Sequence, residues 1–174
     1  MLIDVNVLLE YTDWERQKWH DWLREHGDRV LVTSTGPNSD ARFETVGDLV
    51  RHIFSAEKRY VERLSDKPLT DTATIPTENI EALFDFGQQS RKALREFIDT
   101  LPAQQWDAPR DYTMMNHPIR ATPKKFVVNV LLHEIRHWAQ IATLVRQNGL
   151  KGDLHDFLFS PALGGDARRE PAKT

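Results

Sequence analysis

Apolar side chains recur every three or four residues along four long stretches, the period of helices with one buried side. The first stretch runs from about Asp4 to His26, where Val5, Leu8, Leu9, Thr12, Trp19, Leu23 and His26 share a face and Gly27-Asp28 ends it. The second runs from about Thr45 to Leu64, with Val46, Leu49, Val50, Ile53, Phe54, Tyr60, Val61 and Leu64 as its stripe. Thr45 followed by Asp48 predicts a capping box, and Pro68 lies just past the end. The third begins after Thr77 and ends near Leu101-Pro102; Leu83, Phe86, Gly87, Ser90, Leu94, Phe97 and Leu101 face inward. The small pair Gly87 and Ser90 would allow close approach or leave room for a ligand. In the fourth, Thr122 caps, Pro123 takes the first helical position and Asn148-Gly149 stops the helix. Its polar residues form a narrow wedge of Lys125, Asn129, Arg136, Gln140 and Gln147, so it is expected to be the most buried of the four.

The fold class predicted is all-α, a four-helix bundle. The connections, roughly 27–44, 65–76 and 102–121, exceed what a helical hairpin needs and permit crossovers, so helix order stays open. Val30-Leu31-Val32 and Asp111–Met115 read equally as short strands or irregular arms. Past Leu150 only Phe157-Leu158-Phe159 has the character of a docking segment. We expect one domain over 1–160 and a flexible tail over 161–174, with the polar run Asp166–Thr174 disordered.

Composition narrows the function. The 174 residues include 23 Lys+Arg and 26 Asp+Glu, a net charge of −3 that argues against nucleic acid or an anionic membrane as partner. No run of about 18 apolar residues suggests a membrane span. Asp4 and Glu10 flank a short apolar segment unlike a secretory signal. Cysteine is absent, which removes thiolate chemistry and suits a cytoplasmic location.

Three of the seven histidines carry the remaining information. His133 and His137, four apart, leave one face of the fourth helix a turn from each other, the separation at which two ring nitrogens can bind one divalent ion. His52 sits at the margin of the second stripe with small Ala56 one turn on, and is the candidate third ligand. Three neutral imidazoles leave a coordination position open for water or substrate, the pattern of a catalytic site. The bland alternative makes each a hydrogen-bonded core histidine. His20 and His26 belong to the first helix, whereas His117 and His155 could reach a pocket rim. His133-Glu134-Ile135-Arg136-His137 also fits the H-E-x-x-H pattern of zinc metalloproteases. Gln140 and Thr143 stand where one extension needs Gly and His, and only a short tail follows for the other, so a protease is the weakest reading.

The chain resembles the DinB-like (YfiT-related) family of metal-binding four-helix proteins over nearly its whole length. Asp48-Leu49-Val50-Arg51-His52-Ile53 with Ala56-Glu57 carry the resemblance, together with His133-Glu134-x-x-His137-x-x-Gln140, Leu144–Gly149 and the opening Tyr11-Thr12-Asp13-Trp14. The resemblance implies a bundle with a crossover connection, often a homodimer, with one divalent ion, zinc or nickel, at His52, His133 and His137. It also implies activation of a low-molecular-weight thiol such as bacillithiol or mycothiol, for S-transfer or isomerisation. It does not imply DNA binding.

A metal on three neutral imidazoles keeps about two positive charges and can yield a thiolate for a transferase or a hydroxide for a hydrolase. Glu134 projects into the apolar arc, where it could act as a catalytic base, orient a histidine or pair with Arg16 across the bundle. Glu15 and Arg16 intrude on the first stripe and are candidates for lining a pocket, unless the helix is rotated to bring both to solvent. Trp14 faces outward, toward a dimer surface or a covering loop. Two functions remain: a metal-dependent enzyme acting on a small-molecule substrate, or a non-catalytic, metal-stabilised ligand-binding or oligomeric bundle.

Overall fold

The computed structural model describes residues 4–36, 43–114 and 116–164. Among these, four helices form as the periodicity predicts: α1 (Val5–His26), α2 (Val46–Leu64), α3 (Ile80–Thr100) and α4 (Pro123–Gln147). Each begins where a side chain satisfies an orphan amide. Asp4 accepts from the amide of Asn6, and Thr122 from that of Lys125. At α2 the box is complete, Thr45 Oγ1 accepting from Asp48 N at 3.2 Å and Asp48 Oδ2 accepting from Thr45 N at 3.1 Å. The third helix starts later than expected, because Asn79 rather than Thr77 is the cap and accepts from Ala82 N at 2.8 Å.

The bundle is crossed. Both α1 and α2 pack against α3 and α4, so consecutive helices α1 and α2 stand on a diagonal. α2, wedged between α3 and α4, has no exposed residue, and eleven of its nineteen are buried against eleven of twenty-five in α4. The expectation that α4 would be the most buried is therefore corrected. The outer strip of α4 (Leu132, Arg136, Ala139, Gln140 and Thr143) meets solvent. Gly87 and Ser90 provide close approach, since a Cβ at Gly87 would lie 2.9 Å from the Phe54 ring and Ser90 donates to the Phe54 carbonyl, and Gly87 also borders a cavity. Phe84 and Arg91 join the buried side of α3, while Phe97 is only partly covered.

The open question of short strands resolves in two ways. Arg110–Met114 (β1) pairs antiparallel with His117–Ala121 (β2) in the register Arg110↔Ala121, and Tyr112 and Ala121 dock into the core. Val30 ends a 3-10 turn at Asp28–Val30 instead of entering a strand, although Val30 and Leu31 are buried.

The segment after α4 docks differently from expectation. Phe157 meets the Tyr11 ring edge, but Leu158 is 80% exposed and Phe159 41%. The docking comes instead from His155, whose ring stacks on Trp19 with centroids 4.5 Å apart and whose carbonyl accepts from Tyr11. Backbone carbonyls of Lys151 and Leu154 accept from Trp22 and Lys18. Burial of Ala162 carries packing past residue 160, and Asp166–Thr174 lies outside the described residues. Among the described residues no helix is long and apolar enough to cross a membrane.

Two apolar clusters fill the bundle. One gathers Trp19, Leu23, Ile53, Phe54, Leu83, Trp138 and Ile141; the other gathers Leu9, Val61, Leu94, Phe126, Val127 and Leu131. Along every helix a buried charged residue falls between the two: Arg16, next to buried Glu15, on α1, Glu57 on α2, Arg91 on α3 and Glu134 on α4.

Candidate metal centre

His52 from α2 and His133 and His137 from α4 meet where those helices pack. His133 Nε2 lies 3.1 Å from His52 Nε2 and 3.1 Å from His137 Nε2, and one donor atom from each ring falls within 4.8 Å of the others. Two nitrogens at usual zinc–imidazole lengths are about 2.9 Å apart around an octahedral ion and about 3.3 Å around a tetrahedral one. Both 3.1 Å separations fall between these values, so the three residues could hold a single divalent cation. Gln140 Oε1, 3.0 Å from His137 Nδ1, accepts the proton on that nitrogen and leaves the Nε2 lone pair facing the other rings. His137 is buried, the other two partly so. Phe43 forms an apolar wall, its centroid 4.5 Å from that of His52 and 6.1 Å from that of His137.

The trio opens into a cavity of about 820 Å³, large enough for a small molecule. Along α2 its wall includes His52, Ser55, Ala56, Arg59, Tyr60 and Arg63, one side of the helix at steps of three and four. The β1–β2 hairpin adds Thr113, Met114 and Asn116, and α4 adds Arg136.

Glu134, between the two α4 histidines in sequence, points elsewhere. It accepts from Arg16 Nε at 2.5 Å and Nη2 at 2.8 Å, from Arg91 Nη2 at 2.6 Å and from Trp138 Nε1 at 3.0 Å. Burial alone would raise its pKa, but the charges of Arg16 and Arg91 outweigh that and hold it below the usual carboxylate range. Glu57 completes the group, 3.1 Å from both guanidinium groups. Of the roles open to Glu134, pairing with Arg16 across the bundle is the one its contacts display.

Arg16 lines a different cavity, of about 460 Å³, with His20, Phe84 and Gly87. Glu15 lines neither: its carboxyl sits beside Tyr11, Trp19 and His155, and burial pushes its pKa up to about 8. His155, 4.0 Å from Glu15, is itself pushed down to about 4 by burial. His117 is exposed on β2. Trp14 is half-covered, stacked on Tyr11 with the Lys18 ammonium 5.0 Å from the ring centroid.

Phe43, Ser55, Arg59 and Arg63 escape a reading of the sequence that follows apolar periodicity alone. For the last three a signal exists: they continue from His52 on one helical stripe, at offsets of three, seven and eleven.

The model of the DinB family matches residues 1–166 of the chain. No curated protein matches it.

Proposed function

The chain belongs to the DinB family, and from that premise we propose that it is a metal-dependent enzyme whose single divalent ion, zinc or nickel, is held by His52, His133 and His137. The reaction we infer is transfer of a low-molecular-weight thiol to an electrophile, with hydrolysis or isomerisation as the related chemistry. The observation that carries this reading is the convergence of three Nε2 atoms at 3.1 Å steps on the wall of a small-molecule cavity. A cation bound there would lower the pKa of a coordinated thiol or water and so supply a nucleophile near neutral pH.

The chain's own residues set the conditions. Gln140 fixes the His137 tautomer, Phe43 excludes water from one side, and the neutrality of three imidazole ligands preserves the cation's charge. Glu134 serves as part of the bundle's interior and not as a proton shuttle, because both its oxygens are engaged by arginine and tryptophan donors. This separates the site from the H-E-x-x-H proteases, whose glutamate must face the metal-bound water.

Metal analysis of the purified protein is expected to give close to one ion per chain after incubation with zinc or nickel, and His137→Ala to empty the site. On the same sample, a panel of thiols and electrophiles is expected to show turnover that chelation abolishes. A wild type that takes up neither metal would overturn the reading. Metal uptake that stabilises the fold without any turnover would favour the non-catalytic bundle.

A further inference from the structure

The cavity beside the histidines is basic, although the chain as a whole has a net charge of −3. Arg51, Arg59, Arg63 and Arg136 line it against one carboxylate, Asp48. Asp48 is already engaged by Arg51 at 2.9 Å and by the Thr45 cap. Among the described residues, Arg59, Arg63 and Arg136 take part in no ion pair. The Arg63 pKa is lowered by burial and by the neighbouring Arg59 charge, as expected of two like charges sharing a wall.

Two further atoms lack partners there. Arg59 Nε is buried without a hydrogen bond, and so is Ser55 Oγ, one turn earlier on the same cavity-lining stripe; Ser55 is 5% exposed. Buried donors left unsatisfied are costly, and guanidinium forks match the oxygens of a carboxylate or phosphate. A cavity of about 820 Å³ admits a small molecule.

We propose that Arg59 and Arg63, with Arg136 across the cavity and Ser55 beside them, bind an oxyanion of the substrate, a carboxylate or a phosphate. This deepens the proposed function and rests on it for what the anion is brought next to. Arg59 lies seven residues beyond His52, about 10 Å along the helix axis. The substrate is then an elongated molecule, with its reacting atom at one end and its negative charge at the other.

The test is calorimetric titration of the full chain, metal-free and zinc-loaded, with inorganic phosphate, glutarate and the neutral glutaramide. Phosphate or glutarate is expected to bind the metal-free wild type at one site, and glutaramide not at all. Which anion binds more tightly distinguishes the two oxyanion sources. Arg59→Gln/Arg63→Gln is expected to weaken that binding about 10- to 100-fold with zinc stoichiometry unchanged. Arg136→Gln, at an exposed position, is expected to weaken it severalfold and provides a second reading should the double variant fold poorly. The proposal fails if neither anion binds, if the variants bind as the wild type does, or if binding needs zinc and ignores the arginines. Loss of anion binding in the variants of a protein that takes up no zinc would instead uphold the arginine site and overturn the metal reading.

Discussion

Replacing Glu134 by Gln separates a structural glutamate from a catalytic one. In the wild type the buried ion-paired group sets Arg16 and Arg91 against Glu57 and Glu134, two positive and two negative. The amide leaves a surplus positive charge and turns an NH2 group toward guanidinium donors that now meet a carboxylate oxygen at 2.5 to 2.8 Å. Removing one partner of a buried pair costs about 3–5 kcal/mol, a large part of the roughly 5–15 kcal/mol that holds a domain together. At roughly 2–4 °C per kcal/mol for a chain of this size, the melting temperature is expected to fall by about 10 °C. Denaturant unfolding measures the loss directly, and metal content read well below the new melting point is expected to stay at the wild-type value. Arg91→Met in the same chain restores neutrality to Arg16 and Glu57. The double variant is therefore expected to be more stable than the sum of the singles implies, by at least about 1 kcal/mol. A Glu134→Gln protein within about 0.5 kcal/mol of wild type would refute the reasoning, since a surface-like substitution behaves that way. So would full stability accompanied by lost turnover, which would return Glu134 to the chemistry.

Further outcomes follow from the same contacts. Gln140→Ala removes the acceptor at His137 Nδ1, and metal affinity measured by competition with a chelator is expected to fall about 10- to 100-fold without loss of fold. Gly87→Ala forces a methyl group to 2.9 Å from the fully buried Phe54 ring, and is expected to destabilise by about 1–3 kcal/mol in denaturant while leaving metal content intact. Glu15 and His155 give a pH signature. The folded state raises the Glu15 pKa to about 8, so its contribution is fully present below the unfolded value near 4.5 and is lost as pH rises toward 8. His155, lowered to about 4 in the fold, acts oppositely and adds stability as pH rises from about 4 to its unfolded value near 6.5. The two offset each other up to about pH 6.5, above which stability is expected to drop by about 1–2 kcal/mol by pH 8. Glu15→Gln is expected to flatten that drop in unfolding curves collected across this range; an unchanged slope would place its cause elsewhere.

What the sequence reveals depends on whether a residue obeys a local period. Four helices are legible from their apolar repeats, and two of the caps because Thr45 and Thr122 each stand just before one, whereas Asn79 at α3 is not. His133 and His137 are legible because four residues make one turn, and His52 because it borders a stripe. Arg91 and Glu57 are not, since a charge inside an apolar stripe reads as an exposed gap until its partners on other helices are known. The hairpin stays hidden because His117–Arg120 are exposed and only Ala121 of β2 is buried, which erases the two-residue alternation of a strand. His155 belongs to no periodic segment at all, and only the folded chain reveals its stacking on Trp19.

The interleaved charges between the two apolar clusters act as a vernier. Sliding any one helix by a turn, about 5.4 Å, would drag its arginine or glutamate into hydrocarbon and leave the others mismatched. α4 carries Glu134 between His133 and His137, and α2 carries Glu57 five residues after His52. The setting that aligns the charges is thus the same one that brings the imidazoles level, so the chain assembles its binding geometry in the act of folding.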